Sequence, residues 1–502
     1  MKVKNQKTYR SSSGKSDEFV VPKRQANKTG NTVAESAEGR DSIKGNSHTG
    51  NGDRTQSRNI TTCNLMRVRE VARRDKKVQF TSLLHHVDED LLIRSYHNLE
   101  RNSAAGADGV SWYDFGKDLE KNVFDLKREV TKGTYKPIPA RRILIPKSDG
   151  SDRPISIQSV RDKILQQALV ILLNNIYEED FLGFSYGFRP NRSQHDALDA
   201  LHVGLMKRKV NWVLDLDIRK FFDTVDHDWL LRFIEHRIKD KRIIRLIRKW
   251  LKIGYFDESG RRVKSYVGAP QGAVISPLLS NIYLHYVYDL WCKKWRGDHG
   301  RGDMIVVRYA DDSVLGFQYK TDAMRFQKDL TTRMSNFGLE LHEEKTKLIE
   351  FGRFAAIRRK EKGLGKPETF DFLGFTHYCG NKRKTGEFMV WRKTIRKRMV
   401  IRLRELRIEL KRRMHRPIRE TAKWLVSVIR GHMNYFSVPG NLDSVSLYIY
   451  ELKKAWYKSL CRRSQRKRIN WDKFRLYLAP LLPTPKVIHP YPDKRFYAKY
   501  PR

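Results

Sequence analysis

Alternation of apolar and polar positions marks the middle of this chain as sheet. Residues 305–317, Ile-Val-Val-Arg-Tyr-Ala-Asp-Asp-Ser-Val-Leu-Gly-Phe, are apolar or β-branched up to Tyr309 and again from Val314. The pattern predicts two short strands meeting at a tight turn whose tip carries Asp311 and Asp312. Upstream, in Trp212-Val213-Leu214-Asp215-Leu216-Asp217-Ile218, strand alternation puts Val213, Asp215 and Asp217 on one face. Leu214, Leu216 and Ile218 fall on the other. A further hairpin is predicted from residues 141–146 and 153–157, which alternate around Asp149-Gly150.

Elsewhere the apolar spacing is helical. Ile164, Leu165, Ala168, Leu169, Leu172 and Ile176 make a core stripe over 158–180, and Ala323, Phe326, Leu330 and Met334 another over 321–337. Phe80, Leu83, Leu84, Leu91, Leu92 and Tyr96 suggest amphipathic segments before a Gly-rich loop, Ala104–Val110. Over 392–416, Met399, Leu403, Leu406, Leu410 and Met414 stripe a helix whose other face is dense in Lys and Arg. Trp424, Leu425, Ile429, Tyr435, Phe436, Leu452, Trp456 and Leu460 extend a helical bundle core. The ends differ: residues 1–65 are rich in small polar and basic residues and predict a disordered basic tail. Residues 479–502 predict an extended basic tail with prolines.

Composition adds a partner class. A formal charge of +44, with 101 Lys and Arg, attracts polyanions, and nucleic acid is the expected one. The longest strongly apolar run, Ala168–Leu173, is far too short for a bilayer, so no membrane partner is expected. Cys63, Cys292, Cys379 and Cys461 form no Cys-x-x-Cys pair, which argues against zinc and fits a reducing compartment.

The acids carry the chemistry. Adjacent carboxylates between buried strands repel each other and lose solvation, so they call for a neutralising cation, and Mg²⁺ prefers such oxygens. Asp217, at the end of its strand, laid beside Asp311 and Asp312 completes a three-carboxylate site for the two metals of in-line phosphoryl transfer. Asp215 and Asp223 are second-rank, Asp223 being expected to be structural. Lys147 and Arg153 sit near one end of the 141–157 ribbon. From the residues alone they are either solvated edge charges or a grip for a triphosphate. Arg189 and Arg192, in Gly183–Ser193, are placed to touch backbone phosphate, and His195 opens the next helix as a structural residue.

Tyr309-Ala310-Asp311-Asp312 resembles the signature tetrad of reverse transcriptases. Gly183–Ser193, Pro270-Gln271-Gly272, Phe372-Leu373-Gly374-Phe375, Arg430–Phe436 and Arg462-Arg463-Ser464-Gln465 resemble blocks of the bacterial group II intron reverse transcriptase/maturases, over about residues 80–492. The resemblance implies catalytic Asp217, Asp311, Asp312 and Lys345, the last as proton donor to the leaving pyrophosphate. It implies metal contacts at Asp217, Ile218, Asp311 and Asp312. Nucleotide contacts are implied at Lys147, Arg153, Phe222 and Gln271, with Phe222 beneath the incoming sugar, excluding a 2′-hydroxyl. Phe372, Leu373, Gly374 and Phe375 match a primer grip, and the Gly-rich loop a template-covering lid. Arg189, Arg192, Arg404 and Lys411 are expected to bind RNA.

The fold expected is an α+β right-hand polymerase. A helical N-terminal extension (66–135) precedes fingers and palm of antiparallel sheet with helices (136–388), then an all-helical thumb or X domain (389–478). With few residues after Pro492 and no Cys pair, the form lacking the C-terminal endonuclease domain is expected. Implied ligands are two Mg²⁺ and dNTPs; implied partners are group II intron RNA, an RNA template and a DNA primer or target. The implied setting is the bacterial cytoplasm, at the nucleoid. Two alternatives stay open: a reverse transcriptase domesticated for defence, CRISPR or DNA repair, and a non-enzymatic splicing maturase.

Overall fold

A computed structural model describes residues 51–146, 152–257, 259–463 and 469–501. The expectations for residues 1–50, Lys147, the Asp149-Gly150 turn and Ser464-Gln465 lie outside the described residues. Among those described, no helix is long and apolar enough to cross a membrane.

The described residues begin with a helix, Asn51–Arg74, so the tail expected over 1–65 does not reach 65. Its polar composition hid a stripe: Leu65, Val68 and Ala72 are buried, and Arg69 Nε reaches Glu179 Oε1 at 2.7 Å. Helices Glu89–His97 and Leu119–Lys132 follow, the first capped by the Asp88 carboxylate accepting from the Leu91 amide. The Gly-rich loop between them is pressed on the next unit. A Cβ at Gly106 would stand 2.6 Å from the Ser159 amide nitrogen, so only glycine fits.

Strands β1 (Ala140–Pro146) and β2 (Asp152–Ile157) form the predicted antiparallel hairpin. The palm begins with β3 (Trp212–Leu216), while the short β4 (Tyr255–Phe256) and β5 (Arg262–Val263) return to the hairpin in the order β2-β1-β4-β5. Strands β6 (Met304–Tyr309), β7 (Asp312–Phe317) and β8 (Lys347–Glu350) complete an antiparallel palm sheet, β6-β7-β3-β8. Leu214, Leu216 and Ile218 face a core shared with helices Val160–Asp180, Ser276–Leu284 and Lys320–Ser335. Val213, Ile305, Val307 and Val314 face a second core with helix Gln194–Lys207. The alternation read from the sequence is thus a sheet covered on both faces.

A third sheet joins palm to thumb: β9 (Phe370–Phe372), β10 (Phe375–Asn381) and β11 (Phe388–Thr394). The helix expected from 392 therefore starts only at Arg396 and ends at Arg412. Arg392 belongs to β11, where it is buried and 3.5 Å from Asp199 Oδ1. The thumb packs helices Arg396–Arg412, Ile418–Phe436 and Leu442–Cys461 around Leu403, Leu425, Leu452 and Trp456.

The C-terminal segment is not extended throughout. Residues Pro492–Lys499 form a helix lying on Gln194–Lys207, with Phe496 buried and Arg495 Nη2 2.6 Å from Asp199 Oδ1. Lys499 adds a pair to Asp196 Oδ2 at 2.7 Å. Proline at the first helical turn favours rather than breaks a helix, and the aromatic Phe496, Tyr497 and Tyr500 find cover on the palm.

Candidate active site

Register builds the acidic cluster. Tyr309 pairs with Asp312 across a two-residue turn, and Leu216 of β3 pairs with Ser313 of β7. The next residue, Asp217, therefore comes level with Asp312 at the edge where the hairpin turns. Two features hold that edge. Ile218 bridges Leu341, and the Asp217 carbonyl accepts from the His342 amide at 2.8 Å. The Ile218 side chain lies in the core, so the metal contact expected of it falls to its backbone.

The hairpin tip is held by a residue the sequence reading passed over. Arg308 is fully buried and forks onto Asp289, with Nε to Oδ1 at 2.7 Å and Nη2 to Oδ2 at 2.6 Å. It also donates to the Ala310 carbonyl at 2.8 Å, the Ser185 hydroxyl at 2.7 Å and Asn281 Oδ1 at 3.2 Å. A lone arginine inside an otherwise apolar strand was the available signal. Ala310, at the turn, has φ +58°, a conformation that costs a non-glycine residue about 1 kcal/mol or more.

Electrostatically the acids behave as a group. Burial raises the proton affinity of Asp311, and the Asp217 charge adds to it while Arg153 and Arg308 oppose it. Asp312 is pushed up to about 6, first by desolvation and then by Asp311 and Asp217. One edge of Asp312 meets solvent, but the surrounding protein strips much of its hydration. Asp215 reaches about 7, through burial and then Asp312, Asp217 and Asp371. The arrangement is short of positive charge at its centre, and hard carboxylate oxygens are the donors a divalent cation such as Mg²⁺ takes. Among the described residues no three acids, His or Cys converge tightly enough to form a metal cage. Lys345 Nζ instead stands 2.9 Å from Asp217 Oδ2. The donor set fits a cation; Lys345 supplies part of that charge in the structure.

Two of the expected nucleotide residues come together in a cavity that Asp217, Asp311 and Asp312 do not line. Phe222 and Gln271 line one cavity of about 450 Å³ with Arg142, Tyr255, Asp223 and Tyr266. The Phe222 carbonyl accepts from the Ala269 amide at 2.7 Å, and the Gln271 carbonyl from the Ser156 amide of β2 at 2.7 Å. Fingers and palm are stitched there. Gly272, at φ +102°, lies where a Cβ would be 2.9 Å from the Ser156 carbonyl oxygen. Phe221 is buried core, as expected of the neighbour of Phe222. Asp223, expected to be structural, is an exposed lining residue of the cavity. Arg153 is exposed on β2, within electrostatic reach of Asp311.

The Phe372-Leu373-Gly374-Phe375 segment is a two-residue hairpin turn, with Leu373 at φ +45° and Gly374 at φ +83°. Two successive positive φ values are what a tight right-twisted hairpin demands. Phe372 and Phe375 are buried, so Leu373 and the turn backbone are the surfaces it offers. The Tyr435 hydroxyl donates to the Leu373 carbonyl at 2.7 Å, and the Ile395 amide to that of Gly374 at 3.1 Å. The thumb therefore fixes this turn. Arg398, in the first turn of the thumb helix and not singled out from sequence, is near enough to lower the proton affinity of Asp312.

Of the expected RNA contacts in this loop, Arg189 is turned inward and Arg192 is partly exposed. Arg189 is buried, with Nη2 3.0 Å from Glu178 Oε2 and Nη1 donating to the Leu182 and Ser185 carbonyls. Arg192 donates to the Gly183 carbonyl at 2.5 Å and lies over Tyr186. Both arginines donate to turn carbonyls that the bridge between Ser185 and Arg308 leaves over, so they brace the loop. His195 is half-buried against Tyr435 and His489, in keeping with a structural role. Arg404 and Lys411 do stand exposed on the thumb helix.

Residues 145–377 match the family model for reverse transcriptase (RNA-dependent DNA polymerase). Protein YkfC of Escherichia coli is 36% identical over 276 residues, covering 48% of this chain and 71% of that protein. The group II intron-encoded protein LtrA of Lactococcus lactis is 38% identical over 211 residues, 41% of this chain and 34% of its own. A 91 kDa protein in the cob intron of Schizosaccharomyces pombe is 28% identical across 73% of this chain and 52% of its own length. The chain thus spans most of one relative, about half of another and about a third of the remaining one. With the family match over 145–377 and most of YkfC covered, the chain belongs to the reverse transcriptase family, and group II intron-encoded proteins are among its relatives.

Proposed function

We propose that the chain is an RNA-directed DNA polymerase that also holds a group II intron RNA for splicing and retrotransposition by target-primed reverse transcription. The register that sets Asp217 level with Asp312, next to Asp311, is the observation that carries the polymerase reading. Asp217, Asp311 and Asp312, with the Ile218 carbonyl, would hold two Mg²⁺, and ions bound there would supply positive charge for the primer 3′-hydroxyl and the leaving pyrophosphate. Arg153 would contact the triphosphate from the fingers hairpin; the same role is assigned to Lys147, which lies outside the described residues. Lys345 then leaves Asp217 to give its proton to pyrophosphate. Gln271 supports the nascent pair, and the Leu373-Gly374 turn carries the primer. This reading assigns the work to the bacterial cytoplasm at the nucleoid, where intron RNA meets target DNA. Extension of a DNA primer on RNA by purified protein, with dNTPs and Mg²⁺, is the direct test. Failure to extend, or extension that persists in excess EDTA, overturns the reading.

Two further results are expected. Phe222→Ala removes an aromatic wall that offers no hydrogen bond to a 2′-hydroxyl, so ribonucleotide incorporation should rise by about 10-fold or more relative to dNTP use. A competition assay in which that ratio stays at the parent value assigns the gate elsewhere. Arg404→Glu with Lys411→Glu should weaken RNA binding and flatten its salt dependence by roughly two phosphate contacts. A log–log salt slope equal to that of the parent removes the thumb helix from the RNA interface.

A further inference from the structure

Phe188 is held in a costly conformation without being buried. Its φ is +57°, a region that bulky L-residues avoid, and its side chain is 52% exposed. Burial therefore does not offset the strain. The conformation is imposed from both sides. Gly187 lies so close to the acidic hairpin that a Cβ there would be 2.3 Å from the Ala310 amide nitrogen. Its carbonyl accepts from Asn281 Nδ2 at 2.8 Å. On the other flank Arg189 is chelated by Glu178 and by two carbonyls. Glycine or asparagine would occupy position 188 at least cost. The chain instead places a phenyl ring there, 6.5 Å from the ring of Tyr309 at an angle of 45°. Tyr309 is itself only partly covered and immediately precedes Ala310 and the two acids.

We propose that Phe188 is a stacking residue for the primer–template end, taking the face of a nucleobase or its sugar beside Tyr309. The inference rests on the polymerase reading and adds a residue to it. An outward aromatic at the lip of an acidic centre, within a protein of charge +44, suits a strand whose phosphates are held elsewhere and whose bases need a surface. Strain kept at such a point, and not relieved by a small residue, is what a functional side chain produces. The ring touches no reacting atom, so its role is to position.

The test compares Phe188→Gly and Phe188→Trp in the full chain with the parent. The probe is a DNA primer on an RNA template carrying 2-aminopurine, either at the primer terminus or at the first template base. Phe188→Gly is expected to melt at a higher temperature than the parent, because the strain is gone. It should bind primer–template about tenfold more weakly, with KM for primer–template raised and kcat little changed. The 2-aminopurine signal should change in the arm whose base meets the ring, primer or template, and Phe188→Trp should restore binding. A Phe188→Gly protein that binds and extends like the parent overturns the inference and leaves the polymerase reading standing. One that melts earlier and loses activity in proportion also overturns it, since that is the behaviour of a packing residue. If the parent itself neither binds nor extends the substrate, the polymerase reading falls and this inference with it.

Discussion

Asp311→Asn and Asp217→Asn should each lower primer extension by at least about a thousandfold while leaving RNA affinity and intron splicing near parent values. The substitutions keep shape and remove one charge, and the charge stabilisation that bound metal supplies amounts to several kcal/mol. Neither change should harm folding. Asp312 is pushed up to about 6 partly by its acidic neighbours, so removing one of them relieves repulsion in the folded state above the ordinary carboxylate range. The pair lost in Asp217→Asn, with Lys345, is more than half exposed on the lysine side and contributes little to stability. Melting temperatures should therefore be equal to or above that of the parent. Splicing depends on basic surface and shape, and the densest basic run, in the thumb helix Arg396–Arg412, is a different element from the acids. A primer-extension assay beside a splicing assay separates the two activities. Parent-level extension by both variants would remove these carboxylates from the chemistry. Loss of splicing along with extension would show that the acids hold RNA as well.

Much of this site was legible because strands expose their geometry in sequence. Alternation alone put Asp215 and Asp217 on one face, and apolar runs on both sides of Asp311-Asp312 located the turn. The helical stripes over 158–180 and 321–337 became core helices for the same reason. Arginines defeated the reading in both directions. Arg189 and Arg192 were given to RNA because their type suits phosphate, yet a loop with unpaired carbonyls needs the same donors. Arg392 was counted with a solvated helix and proves to be a buried strand residue against Asp199. Local charge says nothing about which face a fold will cover. Composition misled at both ends. Polar residues around Leu65, Val68 and Ala72 concealed a helix, and prolines before Phe496 concealed another. In each case the apolar spacing is sparse, and only contact with the palm or fingers helices makes it sufficient.

The hydrogen-bond network beneath the hairpin separates folding from catalysis. Arg308→Met leaves Asp289, with no exposed surface, as an uncompensated charge, at a cost of about 3–5 kcal/mol. Replacing the pair together, as Arg308→Met with Asp289→Leu, removes that charge and should recover most of the lost stability. It cannot restore the bonds to the Ala310 carbonyl, the Ser185 hydroxyl and Asn281. Those bonds tie the left-handed Ala310, and with it Asp311, to the loop and to helix Ser276–Leu284. A carboxylate displaced by about 1 Å from its working position loses roughly 10²-fold in rate. The double variant should accordingly melt close to the parent and yet extend a primer about a hundredfold more slowly in single-turnover measurements. RNA binding, which the network does not touch, should be unchanged. If the double variant recovers both stability and rate, the pair serves folding alone and the hairpin tip is held by its strands. If stability returns and the rate does not, the arginine holds the acids where the polymerase needs them.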